Sequence, residues 1–309
     1  LPRRRVAHTS ESSCGQIYVP WIDGMLWVAV LILVFAFRSS SALGYAYGMA
    51  VTGTITITTL LFLYVARVRW RAPLWLVIVG GGALLTVDLM FLAANLTKLL
   101  HGAWLPLLIG LIAFTVLTTW QRGRQIVSAA RDKVEGPLAD FVRGVRHRTP
   151  PLPRIPGTAI YLNPGAETTP LSLKANVAHI PVLHEHVVIV AIDTPPLPRV
   201  SDAERVNVDH LGDVDDGIIF VSARYGYMER PDVPAALRLV DPAATEGGID
   251  LAHASYFLSK VDIVAGPAPT MAPWRKRLFI ATSRMSTDTA GAFGLPLDQT
   301  VIVGARIEV

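Results

Sequence analysis

Hydroxyl, glycine and tyrosine residues are concentrated in "FRSSSALGYAYGMAVTGTITITT", at the start of an apolar stretch that begins at Phe37. Polar groups inside a membrane are costly, and they usually face a bundle interior or a water-filled path. The following residues supply oxygens without formal charge: Ser39, Ser40, Ser41, Tyr45, Tyr47, Thr52, Thr54 and Thr56. Neutral oxygens suit a weakly hydrated monovalent cation better than a transition metal. From spacing alone, the alternative that these residues only pack helices together stays open.

Carboxylates are rare in the apolar part of the chain. Asp88 is the only one well inside an apolar stretch. It is a candidate proton or ion relay, or it pairs with a neighbouring helix for structural reasons, and both interpretations stay open. Asp23 lies at the edge of a stretch, where hydration makes a charge cheap, so we do not count it as a site residue.

The polar half of the chain offers little chemistry. "LHEH" places His184, Glu185 and His186 together, but metal ligation needs more donors than this segment shows. There is no phosphate-binding glycine motif, no nucleophile elbow and no HExxH. We therefore predict no enzyme activity, no resident metal and no cofactor.

The elements that must position these residues follow from hydropathy. Of the 309 residues, 51% are hydrophobic, but residues 21–120 are far more apolar than residues 121–309. A helix needs roughly 20 apolar residues to cross a bilayer. Four predicted spans run from about Trp21 to Phe37, Leu43 to Ala66, Leu74 to Leu96 and Trp104 to Trp120. The sequence therefore predicts an all-α membrane region of four helices at 21–120, in contact with the lipid bilayer.

The net charge of +4 is explained by arginines that flank the apolar stretches. Lys and Arg mark the cytoplasmic ends of spans. The flanking arginines are Arg3, Arg4, Arg5, Arg67, Arg69, Arg71, Arg122 and Arg124. Because no recognition motif accompanies the charge, we expect no nucleic-acid partner. We expect a cytosolic loop at 1–20 and a cytoplasmic C-terminal region.

Beyond the last span, the pattern changes to that of a soluble domain. Residues 121–156 are predicted to form an amphipathic helix, with apolar positions from Ile126 to Leu138, and then a Pro-rich linker. Residues 157–309 are predicted to form an α/β domain with a mixed sheet. Its predicted strands are Thr158–Leu162, His186–Asp193, Glu204–His210, Gly217–Tyr225, Ser255–Val264 and Thr300–Val309, and its helices are Leu171–Ala178, Val233–Leu239 and Met271–Ala292.

Several of these segments resemble the Kup (HAK/KUP/KT) family of potassium uptake proteins. They are "GQIYVPWIDGMLWVAVLILVFAFRSSSALGYAYGMAVTGT", "FLAANLTKLLHGAWLPLLIG", "LTTWQRGR", "RYGYMERPDVP", "ASYFLSK" and "MAPWRKRLFIATSRM…VIVGARIEV". The resemblance implies proton-coupled potassium symport across the cell (inner) membrane, with potassium and protons as the transported species. It also implies the amino acid–polyamine–organocation superfamily fold of twelve spans, of which the four here would be the ninth to twelfth.

The resemblance also guides the choice of site residues. A tyrosine of the tenth span helps to bind potassium in related transporters, and Tyr47 is the position that we match to it, with Thr52, Thr54 and Ser40 as further pathway residues. Asp23 stands where the family usually has a neutral residue. The first eight spans are missing from this sequence, so we expect a C-terminal portion that does not transport by itself. We expect a homodimer of the full-length protein.

A second interpretation belongs to another functional class. The chain would then be a membrane-anchored cytosolic domain that binds a nucleotide second messenger or a protein partner. Its support is that four spans alone cannot form an inverted-repeat transporter core.

Overall fold

The computed structural model describes residues 7–8, 17–211, 216–245, 248–267, 269–283, 291 and 293–308. The chain divides into two compact units, Pro20–Thr118 and a second unit of Leu1–Val19 with Thr119–Val309. Two short antiparallel strands, β1 (Ala7–His8) and β2 (Ile17–Tyr18), precede the first helix.

The apolar half of the chain is helical. Its helices are α1 (Pro20–Phe37), α2 (Ser40–Val68), α3 (Leu74–Leu96) and α4 (Trp104–Glu135), with a 3₁₀ turn at Leu99–His101. Ser39 has an extended backbone, and its Oγ accepts a hydrogen bond from Ala42 N, so it caps α2. Among the described residues, α2, α3 and α4 are long and apolar enough to cross a membrane. The apolar part of α1, Ile22–Phe35, is shorter, so three of the four predicted spans meet this criterion.

Close contacts bring α2 and α3 together. A Cβ atom added at Gly81 of α3 would lie 2.4 Å from Cδ2 of Leu63 in α2, whereas one added at Gly80 or Gly82 would meet nothing within 4 Å. Only the middle glycine of this triplet therefore lets the two helices approach, as small residues do in membrane helix packing.

The last apolar helix does not end at Trp120. It continues without a break to Glu135, where Gly136 adopts a positive φ of 67° and its N–H bonds to Asp132 O. The residues predicted to form an amphipathic helix after residue 120 are helical as far as Glu135, and they continue the last apolar helix without interruption. The predicted apolar position Leu138 instead begins the next helix, α5 (Leu138–Arg146).

Six strands form the sheet of the second unit. They are β3 (Arg154–Asn163), β4 (Leu183–Asp193), β5 (Val206–Asp209), β6 (Ile218–Arg224), β7 (Ser255–Val264) and β8 (Thr300–Glu308). Their order is β5-β6-β4-β3-β7-β8, and every neighbouring pair is parallel except β5–β6. This confirms the predicted α/β domain with a mixed sheet.

Helices connect and cover these strands. They are α6 (Leu171–His179), α7 (Asp202–Arg205), α8 (Val233–Leu237) and α9 (Pro273–Ser283). The strand predicted from Glu204 starts only at Val206, because residues 202–205 form a helical turn with Asp202 and Glu204 near its positive end. The helix predicted for Met271–Ala292 spans Pro273–Ser283, and most of its remaining predicted residues lie outside the described part of the chain.

The first strand of this sheet starts inside the predicted Pro-rich linker. Arg154 already pairs with Leu183, and a register shift between Ile155 and Thr158 marks a bulge. Pro156 has no N–H to donate to a neighbouring strand, and Gly157 has a φ of 114°, which a regular strand does not allow. The bulge accommodates both residues. Apolar side chains then fill both faces of the sheet, Ile160 and Val188 on one side, Tyr161 and Ile189 on the other.

Candidate functional site

Three of the predicted pathway residues share one face of α2. Ser40, Tyr47 and Thr54 are spaced by seven residues, which is nearly two helical turns with a drift of about 20° per step. All three are exposed, and the Tyr47 side chain is 73% exposed. We call these three residues the Tyr47 face. It presents a phenol and two hydroxyls at one side of a helix that is long and apolar enough to span a membrane.

Thr52 lies elsewhere on the helix. Five residues separate it from Tyr47, which is about 140° of rotation around the axis. Its Oγ1 donates to Gly48 O at 2.8 Å and accepts from Asn95 Nδ2 of α3 at 3.4 Å. Asn95 Nδ2 also donates to Phe91 O at 3.1 Å. The structure therefore brings Thr52 to α3 and does not bring it together with Tyr47.

Gly48 makes room for that asparagine. A Cβ atom at this position would lie 3.0 Å from Asn95 Oδ1, which is tighter than an ordinary contact. The amide nitrogen is held by two acceptors, so the amide oxygen is directed toward the bare backbone of Gly48. Asn95 is a site residue that the sequence analysis missed. Its segment, "FLAANLTK", served there only as a mark of resemblance, although an uncharged amide next to the last residue of a span is a candidate interhelical donor.

Four threonines of α2, Thr52, Thr54, Thr56 and Thr58, bond to the preceding turn of their own helix. Thr54 Oγ1 donates to Ala50 O, Thr56 Oγ1 to Thr52 O and Thr58 Oγ1 to Thr54 O, each at 2.8 Å. These bonds satisfy the hydroxyl hydrogens without a partner helix. They also leave the oxygen lone pairs free to accept, and a cation ligand must offer lone pairs. The arrangement is therefore compatible with both interpretations of the hydroxyl-rich stretch.

Asp88 is half-buried in α3, and its Oδ2 atom is buried without a hydrogen-bond partner among the described residues. An ionised carboxylate oxygen is costly to bury unless it is paired or hydrogen-bonded. The described part of the structure therefore gives this carboxyl oxygen no internal partner, and Asp88 stays a candidate for an ion or proton relay.

An aromatic and cationic cluster lies where α2 begins. Lys98 Nζ lies 5.1 Å from the Tyr45 ring centroid, and the His101 ring packs edge-on against Tyr45 at 6.4 Å. These contacts fasten the turn after α3 to the first turns of α2. Tyr45 is thereby engaged in packing, unlike the exposed Tyr47.

The "LHEH" segment does not form a metal site in the described structure. No group of three or more His, Cys, Asp or Glu residues able to hold a metal occurs among the residues described. Instead the ring centroids of His184 and Phe257 are 6.3 Å apart, and His184 Nδ1 is buried with no hydrogen-bond partner in the described part of the chain. Burial lowers the pKa of His184, because an apolar environment disfavours the charged imidazolium.

The motif "RYGYMERPDVP" folds into a closed polar network. Glu229 Oε1 accepts from Arg205 at 2.8 Å, and Oε2 accepts from Gly226 N at 2.6 Å and from Val200 N at 3.1 Å. Arg205 also stacks over the Tyr225 ring at 4.8 Å. Because both Glu229 oxygens accept from these internal donors, this motif stabilises the second unit and offers little to a ligand.

Two family models match the chain in succession. One is described as "K+ potassium transporter integral membrane domain" and matches residues 1–125. The other is described as "K+ potassium transporter C-terminal domain" and matches residues 156–309. Together they account for both the apolar and the polar half of the sequence. No solved structure matches the chain.

Curated relatives agree with these matches. A "Probable potassium transport system protein Kup" of Rhodococcus jostii (strain RHA1) is 64% identical over 309 residues, which are 100% of this chain and 47% of that protein. Proteins of the same name from Herminiimonas arsenicoxydans and Cutibacterium acnes are 37% and 40% identical, over 100% and 99% of this chain and 48% and 47% of their own lengths. The chain thus spans about half the length of the relatives it matches.

Proposed function

Because the chain belongs to the Kup family of potassium transport proteins, we propose that it forms the C-terminal portion of a potassium uptake transporter. Members of this family are transporters and not enzymes, in agreement with the absence of a catalytic motif from the sequence. In this proposal the transported species are potassium ions and protons, moving together across the cell (inner) membrane. Family membership favours transport over the alternative of a purely regulatory domain.

We extend the proposal to the architecture of the membrane part. Helix α1 has 18 residues, a length of about 27 Å, close to the roughly 30 Å of a hydrocarbon core. It would serve as a short span, the ninth of twelve in an amino acid–polyamine–organocation superfamily fold, followed by α2, α3 and the first part of α4. We also propose that the full-length protein is a homodimer.

The observation that carries the potassium proposal is the Tyr47 face. Exposed oxygens on a membrane-spanning helix are expected to face protein or a water-filled path and not lipid. The three neutral oxygens are about 10 Å apart along the helix axis, so each would contact a partly dehydrated cation in turn along a pathway. The relatives are about twice as long as this chain, and we place the remaining potassium ligands in their additional part.

A chimera tests the proposal. This chain would replace the matching 47% of the Rhodococcus jostii relative, and rubidium uptake would be measured against concentration. We expect Tyr47→Phe to weaken apparent affinity, because a lost ligand oxygen costs on the order of 1–3 kcal/mol. The upper end of that range is more than about tenfold in affinity.

Two control variants define the outcome. Tyr64→Phe alters another exposed tyrosine of α2 on a different face, and Asp23→Asn alters a carboxylate in the first turn of α1. Neither should change the apparent affinity as much as Tyr47→Phe does. An unchanged affinity in Tyr47→Phe, at matched membrane levels, would leave only helix packing as the role of the hydroxyl-rich stretch.

The 309 residues expressed by themselves should not support transport, because the relatives are about twice as long and transporters of such folds build the site from both repeats. A bacterium deficient in potassium uptake provides the test. Growth rescue at low potassium by this chain alone would contradict the proposal.

A further inference from the structure

The contact between α2 and α3 has a fixed register. Gly81 of α3 lies against Leu63 of α2, and Asn95 of α3 lies against Gly48. Gly81 and Asn95 are fourteen residues apart, nearly four helical turns, so both lie on the same side of α3. Asp88 is seven residues from each of them. It therefore shares the side of α3 that faces α2.

On α2, the residue at the level of Asp88 is Thr56. It is only 7% exposed, and it stands four residues beyond Thr52 and seven before Leu63. We define the α2–α3 seam as Gly48, Thr52 and Thr56 of α2 with Asp88 and Asn95 of α3. The seam contains two hydroxyls, an amide and a carboxyl group. About 10 Å of axial rise separates Asp88 from Asn95, so the threonines and water would have to bridge them.

No cationic side chain accompanies Asp88 along the seam. Besides Asp88, the only ionisable side chains in residues 43–66 and 74–96 are Tyr45, Tyr47 and Tyr64. Residues 104–118 of α4 contain none, and α1 contributes only Asp23, in its first turn. A carboxyl oxygen that is buried, without a partner among the described residues and without a counter-charge on these helices marks Asp88 as a candidate group for proton transfer.

Thr52 is committed to the seam by its hydrogen bonds. Its hydroxyl donates to Gly48 O and accepts from Asn95 Nδ2, which keeps it about 140° away from Tyr47 around α2. Asn95 is in turn fixed by its bond to Phe91 O. Asn95 is therefore a positioning residue for Thr52, and the glycine at position 48 is what lets it approach.

We propose that α2 serves the two cargoes on separate faces, potassium on the Tyr47 face and the proton along the α2–α3 seam. This inference rests on the proposed function, because it divides the residues of a proton-coupled potassium transporter between its two ions. Thr52, which the sequence analysis counted as a potassium pathway residue, is here assigned to the proton pathway. Thr56 and Asn95 are added to the proton pathway. A single helix then touches both pathways, so a displacement of α2 would affect both.

The proton part can be tested on the chain itself in membranes. Dicyclohexylcarbodiimide modifies protonated carboxyl groups in apolar surroundings, and mass spectrometry locates the adduct. We expect modification of Asp88 and none of Asp23, and we expect Asp88→Asn to lose the adduct. An unmodified Asp88 under conditions that modify a known membrane carboxyl in the same preparation would overturn the proposal.

The division of residues can be tested in the chimera with the Rhodococcus jostii relative. Thr52→Val and Asn95→Leu should weaken the dependence of maximal rubidium uptake on external acidity while changing the apparent KM by less than about twofold. Tyr47→Phe and Thr54→Val should raise the apparent KM and keep the pH profile. Thr52→Ser retains the hydroxyl and should therefore keep the wild-type pH profile. If Thr52 served only in helix packing, the serine variant would not be expected to differ from Thr52→Val in this way.

The possible failures are distinguishable. A Thr52→Val variant that raises the apparent KM as much as Tyr47→Phe does, with an unaltered pH profile, would overturn the separation of faces. Uptake by the unmodified chimera that is indifferent to the proton gradient would instead contradict the proposed function.

Discussion

Single residues explain how α2 tolerates its polarity. The hydrogens of Thr52, Thr54 and Thr56 all go to carbonyl oxygens of the preceding turn, so none of these three hydroxyls requires an external acceptor. Tyr47 has no such local acceptor within its own helical turn, because its phenol extends away from the backbone. This difference is the physical reason for choosing Tyr47, and not a threonine, as the first residue to alter in transport assays.

Glu229 should be a carboxylate on which the stability of the second unit depends. Glu229→Gln removes the charge that pairs with Arg205, a side chain only 12% exposed, and breaking a mostly buried pair from one side costs about 3 kcal/mol. For a unit of this size that corresponds to a fall of roughly 6–12 °C in Tm. Thermal unfolding of the purified chain measures it. Asp202→Asn, which alters the exposed partner of the same arginine, is the matched control and should change Tm little.

The Glu229 carboxylate should also make the folding stability of the second unit depend on pH in acidic solution. Burial by itself raises the pKa of Glu229, but hydrogen bonds from Arg205, Gly226 N and Val200 N outweigh it, and the net pKa is lowered. A lowered pKa means that the stabilisation is present above the unfolded value of about 4.3 and is lost as the pH falls through the folded pKa. The loss should be absent in Glu229→Gln.

His184 should produce a second pH dependence, closer to neutrality. Its pKa is lowered by burial, so the unfolded chain takes up a proton before the folded chain does. Stability is therefore complete above the unfolded value of about 6.5 and declines as the pH falls below it. We expect His184→Gln to reduce the difference in unfolding free energy between neutral and mildly acidic solutions. An unchanged difference would show that this imidazole is accessible to protons in the folded state.

At the scale of elements, the α2–α3 pair depends on one glycine of three. Gly81→Val should destabilise the helix pair, because a branched side chain would overlap Leu63, whose Cδ2 would lie only 2.4 Å from the new Cβ atom. Gly80→Val and Gly82→Val meet open space and are the matched controls. Thermal stability of the chain in detergent, together with hydrogen exchange in residues 74–96, measures the effect. Equal destabilisation by all three variants would refute the assigned packing.

A second element-scale contact joins α4 to α9. Arg275 Nε donates to Thr119 Oγ1 at 2.9 Å, and the Phe279 ring lies against Gly123 and 5.5 Å from the Trp120 ring. From Thr119 onward α4 belongs to the second unit, and within that unit it packs against α9. This contact gives a physical reason for the continuation of α4 beyond the apolar stretch, since its polar extension is supported by tertiary packing.

For the whole molecule, the arginine distribution predicts the orientation in the membrane. In a chain with Cys14→Ser, Leu100→Cys should react with an impermeant thiol reagent in intact cells, because the Lys98–Gly102 turn is expected outside and Leu100 is 91% exposed. Lys133→Cys should react only after permeabilisation. We place the cysteine at residue 133 and not at residue 135, because Glu135 is buried and paired with Arg131 and its replacement would disturb the fold. Strong labelling of Lys133→Cys in intact cells would reverse the predicted orientation.

The sequence by itself determined the features that depend on local pattern. Apolar runs placed α2, α3 and the start of α4, because a bilayer demands a minimum length of apolar residues. Alternating strand and helix patterns predicted the α/β domain with a mixed sheet, and the predicted strand Ser255–Val264 matches β7 at both ends. The family resemblance, which rests on specific motifs, is confirmed by both family models.

Tertiary structure alone decided which polar residues meet. Thr52 and Tyr47 are close in sequence and lie on different sides of α2, and only the packing of α3 shows that Thr52 belongs with Asn95, forty-three residues away. In the same way, the sequence does not distinguish Gly81 from Gly80 and Gly82, and only the structure shows that Gly81 contacts α2. The physical reason is that the rotation of about 100° per residue fixes the side of the helix on which each residue lies. The side that a partner helix covers depends instead on contacts between residues distant in sequence.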